Sequence, residues 1–329
     1  MDYTKELSSN DVYEKAFEII KKRRAEAIRE NERRIEEVNQ KVPQINVINN
    51  ELFRTGRELI NIILSGNETN VQKKINQIKK DNIDAQKTSA LFLKTNGYPE
   101  DYLEIHFTCP ECKDTGYKNG YYCECLKSLV GKIKSETFNK NTHMSLKSFD
   151  TFKLDYYRDN YDEMKRIFDY LVKYANEFSL DSESILFYGD TGVGKTHLSL
   201  AVANVVINNG FSVIYDSVIN ILQKLRAEYF SYKGSDDVHE TIMNVDLLIL
   251  DDLGTEDINM SFYVSAVYNI VNTRLNKGKP TIISTNLNFD GIKNRYEARV
   301  ASRLNASYKC LRIKGNDIRF EIGKNNVKK

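Results

Sequence analysis

Gly189-Asp190-Thr191-Gly192-Val193-Gly194-Lys195-Thr196 matches G-x-x-x-x-G-K-[ST] at every fixed position. Upstream lies the apolar run Ile185-Leu186-Phe187-Tyr188, which reads as a strand. Downstream, Leu198-Ser199-Leu200-Ala201-Val202-Ala203 reads as a helix. Glycines let a backbone curl so that its N–H groups face phosphate oxygens, and the helix N-terminus adds partial positive charge. The loop Gly189, Asp190, Thr191, Gly192, Val193, Gly194, Lys195, Thr196, with His197 after it, is therefore the expected nucleotide contact. Lys195 would reach the β- and γ-phosphates of ATP, and the Thr196 hydroxyl would ligate Mg²⁺. A chance glycine turn is the competing reading, and the strand and helix on either side argue against it.

A second run supports the first. Val245-Asp246-Leu247-Leu248-Ile249-Leu250-Asp251-Asp252 is an apolar strand ending in adjacent acids. Such a strand carries its acids to the carboxyl edge of a parallel sheet, where ligands bind. Asp251 is the expected second magnesium ligand. Asp252 stands where many ATPases place a glutamate that polarises the attacking water, and it is one methylene shorter. Glu256 is either a further candidate carboxylate or a loop acid. Pro280 to Asn286 reads as a strand with a polar tip, and Asn286 would orient water or touch the γ-phosphate. Strands alternating with helices predict an α/β fold with a mainly parallel sheet.

Arg295, Arg299 and Arg303 recur every four residues, so an unbroken helix would align them on one face. They read either as an arginine finger for ATP in a neighbouring subunit or as a basic face with its own partners. Around Phe230, the residues Lys224, Arg226, Tyr229, Phe230, Tyr232 and Lys233 interleave charge with rings. Single-stranded nucleic acid grooves have that make-up, and so do helices with buried aromatics.

Cys109, Cys112, Cys123 and Cys125 form C-x2-C, ten residues, C-x-C, with turn signals at Asp114-Thr115-Gly116 and Asn119-Gly120 between them. Two close pairs on tight turns bring four thiolates to a tetrahedron, the preference of structural Zn²⁺. Four thiolates leave no open position for water. His106 is an alternative fourth ligand, and an iron–sulfur cluster or reduced thiols are the competing readings. Cys310, in Tyr308-Lys309-Cys310-Leu311, reads as a small buried side chain.

The 329 residues suffice for two domains or a domain with an arm, and 41% apolar content supports a sizeable core. A net charge of +2 demands no nucleic-acid partner. Residues 290–329 nonetheless hold 11 Lys and Arg against 4 Asp and Glu, consistent with an anionic partner or an ordinary basic surface. No apolar stretch reaches about 18 residues, so no membrane partner and a cytoplasmic location are expected. The expected organisation is a helical arm over 1–95, a cysteine element over 96–130, a linker over 131–150 and a nucleotide domain over 151–329. The arm has narrow apolar stripes that need a partner helix, from a hairpin of its own or from another protein.

In order, GDTGVGKTHL, LLILDDLGTE, ISTN, NRYEARVASRL and GNDIR resemble bacterial replicative helicase loaders of the DnaC/DnaI type, primosomal P-loop ATPases of the AAA+ class. The likeness covers about residues 145–320. CPECKDTGY and YYCECL are similar to the cysteine-rich element ahead of the ATPase domain in loaders of Gram-positive type. The resemblance implies an N-terminal region that grips the replicative DNA helicase, and an ATPase domain that binds ATP, self-associates through it and contacts single-stranded DNA. It further implies Arg299 or Arg303 as the finger, Arg319 as the sensor-2 arginine, and a short or missing helical lid after Arg319. Transposition helper ATPases of the IstB type have a very similar motor domain and form the alternative. A nucleotide-gated interaction protein with negligible turnover is a third reading.

Overall fold

The computed structural model describes residues 9–64, 68–140, 145–231, 237–256 and 261–319. The chain divides into two compact units, Phe17–Cys123 and Met1–Ala16 with Glu124–Lys329. The unit boundary falls inside the expected 96–130 element, because the helical arm and the first three cysteines cluster together.

Helix α1 (Ser9–Lys41), which lies in the Phe17–Cys123 unit from Phe17 on, leads directly into α2 (Pro43–Leu64), with proline at the first helical position where no N–H is needed. A third helix, α3 (Glu68–Thr95), packs against α2. Val38, Val42, Ile45 and Leu93 form a small core, covered by Phe92, Tyr98, Tyr102 and Leu103. The arm thus buries part of its apolar stripe internally. Strands β1 (Tyr117–Lys118) and β2 (Tyr121–Tyr122) form a hairpin. At its turn Asn119 and Gly120 both take positive φ, 53° and 82°, the geometry that Asn-Gly favours.

The expected linker over 131–150 is helical throughout its first half. Helix α4 (Glu124–Lys140) buries Leu126, Leu129 and Val130, a three–four spacing that makes one apolar face. Near its end Asn139 donates to the Val213 carbonyl at 2.6 Å and accepts from the Tyr215 N–H at 3.3 Å. Its amide pairs with the free edge of a strand.

That strand is β4 (Val213–Ser217). The sheet runs β4, β5 (Leu247–Leu253), β6 (Thr281–Thr285), β3 (Ser184–Tyr188), β7 (Tyr308–Arg312), all parallel. Successive side chains point to opposite faces. Ile185, Phe187, Leu247, Ile249 and Ile282 therefore enter the core under α5 (Tyr161–Asn176) and α6 (Lys195–Asn208). Leu186, Leu248, Leu250 and Ile283 enter the core under α7 (Val218–Tyr229), α8 (Asp237–Asn244), α9 (Ser261–Asn276) and α10 (Phe289–Ser307). Each fully buried aliphatic side chain contributes about 1.5–3 kcal/mol, so continuous apolar strands dominate the stability of this layer. Arg274 of α9 is fully buried and donates to the Ile242, Val245 and Pro280 carbonyls and the Thr281 hydroxyl, tying the starts of β5 and β6 together. No helix among the described residues is long and apolar enough to cross a membrane.

Candidate nucleotide site and metal centre

The glycine loop lies between β3 and α6, at the carboxyl edge of the sheet. Gly189 has φ 147°, and a Cβ there would stand 2.1 Å from the Ile313 carbonyl oxygen. Gly194 caps α6 with φ 93°, and its missing Cβ leaves room for Tyr157 and Phe152. Tyr157 donates to the Val193 carbonyl at 2.8 Å. On another side of the loop, Ile313 N–H bonds Tyr188 and Ile318 N–H bonds Gly192. The loop is thus clamped by residues before and after the sheet, which leaves its own amides free to face an anion.

Lys195 is buried, and its ammonium donates to Gly189 O and Asp190 O, each at 2.7 Å, and to Asn286 Oδ1 at 2.6 Å. Asn286 follows β6 and is thereby joined to the loop. Burial pushes the Lys195 pKa down, against the pull of Asp252, Asp251 and Asp190, while Arg319 pushes in the same direction as burial. Arg319 is close enough to act electrostatically on both Lys195 and Asp252.

Thr196 donates to Asp251 Oδ2 at 2.9 Å, bringing the two expected magnesium ligands together. Tyr215 donates to the same oxygen at 2.7 Å, and Ser284 to Oδ1. Asp252 takes a left-handed backbone, φ 57°, a conformation that costs a non-glycine residue energy and clusters at functional sites. Burial, then the charge of Asp251, raise its pKa, the direction that suits a base working near neutrality. The Thr196 hydroxyl and the Asp251 carboxylate at the mouth of the loop suit a hard cation such as Mg²⁺. Nothing local in the sequence singled out Tyr215 or Tyr157, since neither lies in a motif, and Ser284 lies in the ISTN stretch without a role of its own there.

His197 is turned toward Ser148 O and Thr151 Oγ1, both at 3.1 Å, and packs edge-on against Phe152. Its ring anchors the segment ahead of α5. Glu256 is 1% exposed, bonded by the Gly254 N–H and the Tyr296 hydroxyl, with Arg295 donating to its carbonyl. It braces the loop after β5.

The expected arginine face is broken. Glu297 has φ 70° inside α10, which interrupts the helix and the every-four alignment. Arg299 has a matching acid, Glu297, at 2.8 Å, with both side chains more than half exposed, and it lies 4.5 Å from the centre of the Tyr268 ring. Arg303 also approaches Tyr268. The pair therefore flanks one tyrosine, while Arg295 is engaged elsewhere.

Tyr229 and Phe230 are 73% and 64% exposed, which excludes the buried-aromatic reading for these two. Phe262 completes a three-ring cluster with them, beside a groove of about 620 Å³. Lys224 is paired with buried Asp216, and Arg226 lies over Phe230. Tyr232 and Lys233 lie outside the described residues, as does the segment after Arg319, to which the expectation of a short or missing lid refers.

The ligand atoms of Cys109, Cys112, Cys123 and Cys125 lie within 4.8 Å of one another. Cys109 and Cys123 sulfurs are 3.9 Å apart. Four sulfurs about 2.3 Å from a tetrahedral Zn²⁺ would sit about 3.8 Å apart, so the donor set fits the ion. Asp114 clamps the first knuckle by accepting from the Thr108 and Cys109 N–H groups. His106 is directed away to Asp101 and Arg34, which removes it as an alternative ligand. Cys310 is half-buried, its thiol pKa raised by burial.

Residues 135–321, more than half of the chain, match the family described as IstB-like ATP binding protein. The chain is 28% identical over 163 residues to a replicative helicase loader DnaC of Buchnera aphidicola subsp. Schizaphis graminum, covering 48% of this chain and 62% of that protein. It is 30% identical over 134 residues to the DnaC of Escherichia coli strain K12, covering 40% and 54%. It thus spans less than two thirds of these relatives. Among solved structures, a DnaC helicase loader is 25% identical with a TM-score of 0.42, covering 46% of this chain and 90% of that one. A DnaI structure is 21% identical with a TM-score of 0.42, covering 52% and 89%.

Two outcomes test the geometry. Replacing the buried ammonium, Lys195→Ala, is expected to lower ATP affinity at least tenfold while thermal unfolding stays within a few degrees; calorimetric titration reads both the loss and its absence. Elemental analysis of purified chain is expected to find about one zinc ion, and Cys109→Ser with Cys112→Ser to lose it. Iron in its place, or a folded, reduced, metal-free chain, overturns the zinc assignment.

Proposed function

The chain belongs to the IstB-like ATP binding protein family, and on that footing we propose that it is an ATP-switched loader that places the replicative DNA helicase on single-stranded DNA during replication initiation or restart. Its ATPase domain has the α/β P-loop AAA+ fold. One observation carries the reading. Lys195, Thr196, Asp251 and Asn286, from three separate strand ends, meet at one sheet edge in a chain whose relatives are named helicase loaders.

ATP would lie along the loop from Gly189 to Thr196, with Lys195 exchanging carbonyl partners for phosphate oxygens. Thr196 and Asp251 would hold Mg²⁺, which when bound neutralises phosphate charge. Asp252 accepts a proton and Asn286 orients water. Arg319 faces the phosphates from the chain's own C-terminal side. Arg299 and Arg303 act on nucleotide in a neighbouring copy, which makes hydrolysis depend on self-association. Four thiolates hold Zn²⁺ and pin the hairpin; for an element with so small a core, metal binding supplies about 10 kcal/mol or more of folding free energy. The helical arm docks on the helicase, and Tyr229 and Phe230 stack on bases of the single strand.

The IstB-type transposition helper remains the second reading, favoured by the family's own description. Helicase capture separates the two. Immobilised chain is expected to retain the replicative helicase of its host with ATP and to release it with ADP. Residues 1–130 should retain it as well. Tyr229→Ala with Phe230→Ala should leave capture intact and weaken salt-sensitive single-strand binding by about tenfold or more. Failure of the full chain to retain helicase under either nucleotide excludes the loader.

Hydrolysis per chain is expected to rise with protein concentration. An Arg299→Ala, Arg303→Ala chain and a Lys195→Ala chain, each inactive alone, should regain activity when mixed. Specific activity that holds constant down to monomeric concentrations excludes the arginine in trans, and no hydrolysis under any condition leaves a nucleotide-gated binder.

A further inference from the structure

Asp251 is approached by three hydroxyls. Ser284 donates to Oδ1, while Thr196 at 2.9 Å and Tyr215 at 2.7 Å both donate to Oδ2. Only one of the two donors on Oδ2 belongs to the glycine-loop motif. A carboxylate has about four lone-pair positions, and each donated hydrogen bond draws charge from it. Tyr215 therefore occupies the same oxygen that Thr196 shares, without being a ligand itself.

We propose that Tyr215 is a positioning residue that attenuates Mg²⁺ binding at the nucleotide site, by holding one lone pair of Asp251 away from the metal and its waters. The inference rests on the reading that ATP binds here with Mg²⁺. Three observations support it. The Tyr215 ring packs against the core beneath α5 and α6, so its position does not depend on the hydroxyl. Its backbone is held on one side by β5, through the Tyr215–Ile249 register, and on the other by the Asn139 amide. Thr196 and Ser284 continue to orient Asp251 when the tyrosine hydroxyl is absent. Removing that hydroxyl frees an oxygen without displacing the carboxylate.

The test is Tyr215→Phe in the full chain, with binding of a fluorescent ATP analogue measured across a Mg²⁺ titration. The half-saturating Mg²⁺ concentration is expected to fall by about two- to tenfold, the effect of one hydrogen bond. Metal-free nucleotide affinity and the thermal midpoint are expected to match the unsubstituted chain. An unchanged or higher Mg²⁺ requirement overturns the proposal, and so does a variant that unfolds, which would assign the hydroxyl to stability. If the unsubstituted chain binds no nucleotide at any Mg²⁺ concentration, the nucleotide reading itself falls. If it binds and the variant matches it, only the role of Tyr215 falls.

Discussion

The hydrogen bond from the Thr196 hydroxyl to the Asp251 carboxylate is the interaction on which the nucleotide site depends. It joins the first turn of α6 to the end of β5, 55 residues apart. It forms only if β3 and β5 run the same way with β6 between them, which is the observed order. Parallel strands release their last residues at one edge, so the loop after β3, the acids of β5 and the tip of β6 arrive together. Lys195 then closes the group by bonding Asn286.

Burial gives these contacts their weight. Asp251 and Lys195 are each about 5% exposed, and opposite charges interact more strongly away from water. Such a site is costly when a polar group lacks a partner, and the described bonds meet that need. The Lys195 ammonium has three acceptors, and the Asp251 carboxylate has three hydroxyl donors. An incoming phosphate therefore replaces existing bonds instead of filling bare charge. The affinity of such a site for phosphate reflects an exchange of partners.

The Phe17–Cys123 unit follows different physics. Its apolar core is small, and its hairpin has only two residues per strand. Order there comes from local devices: the Asn119-Gly120 turn, the Asp114 clamp and the thiols of Cys109, Cys112 and Cys123. Phe17 stacks on Tyr117 at 5.4 Å and supports the hairpin from α1.

Legibility followed sequence distance. The glycine loop, the acid-tipped strand, the cysteine spacing and the Asn-Gly turn are local patterns, and each was readable because its physical cause lies within a few residues. The second half of helix α4, residues 131–140, falls within the expected linker, since a helix docked on the β4 edge has meaning only beside that edge. The arginine spacing suggested one face, yet a single positive φ at Glu297 divides it, and no local pattern announces that break. The roles of Tyr215, Ser284 and Tyr157 were not legible for the same reason: their partners are 33 to 36 residues away, and only the stacking of strands brings them within bonding distance. The sequence by itself determined the glycine loop, the acid-tipped strand that carries Asp251 and the four-cysteine set, because backbone curvature and side-chain chemistry at short range specify them. The tertiary structure alone decided which hydroxyls share Asp251, where His197 and His106 point and which arginines stay unburied, because those depend on the order and direction of packed strands.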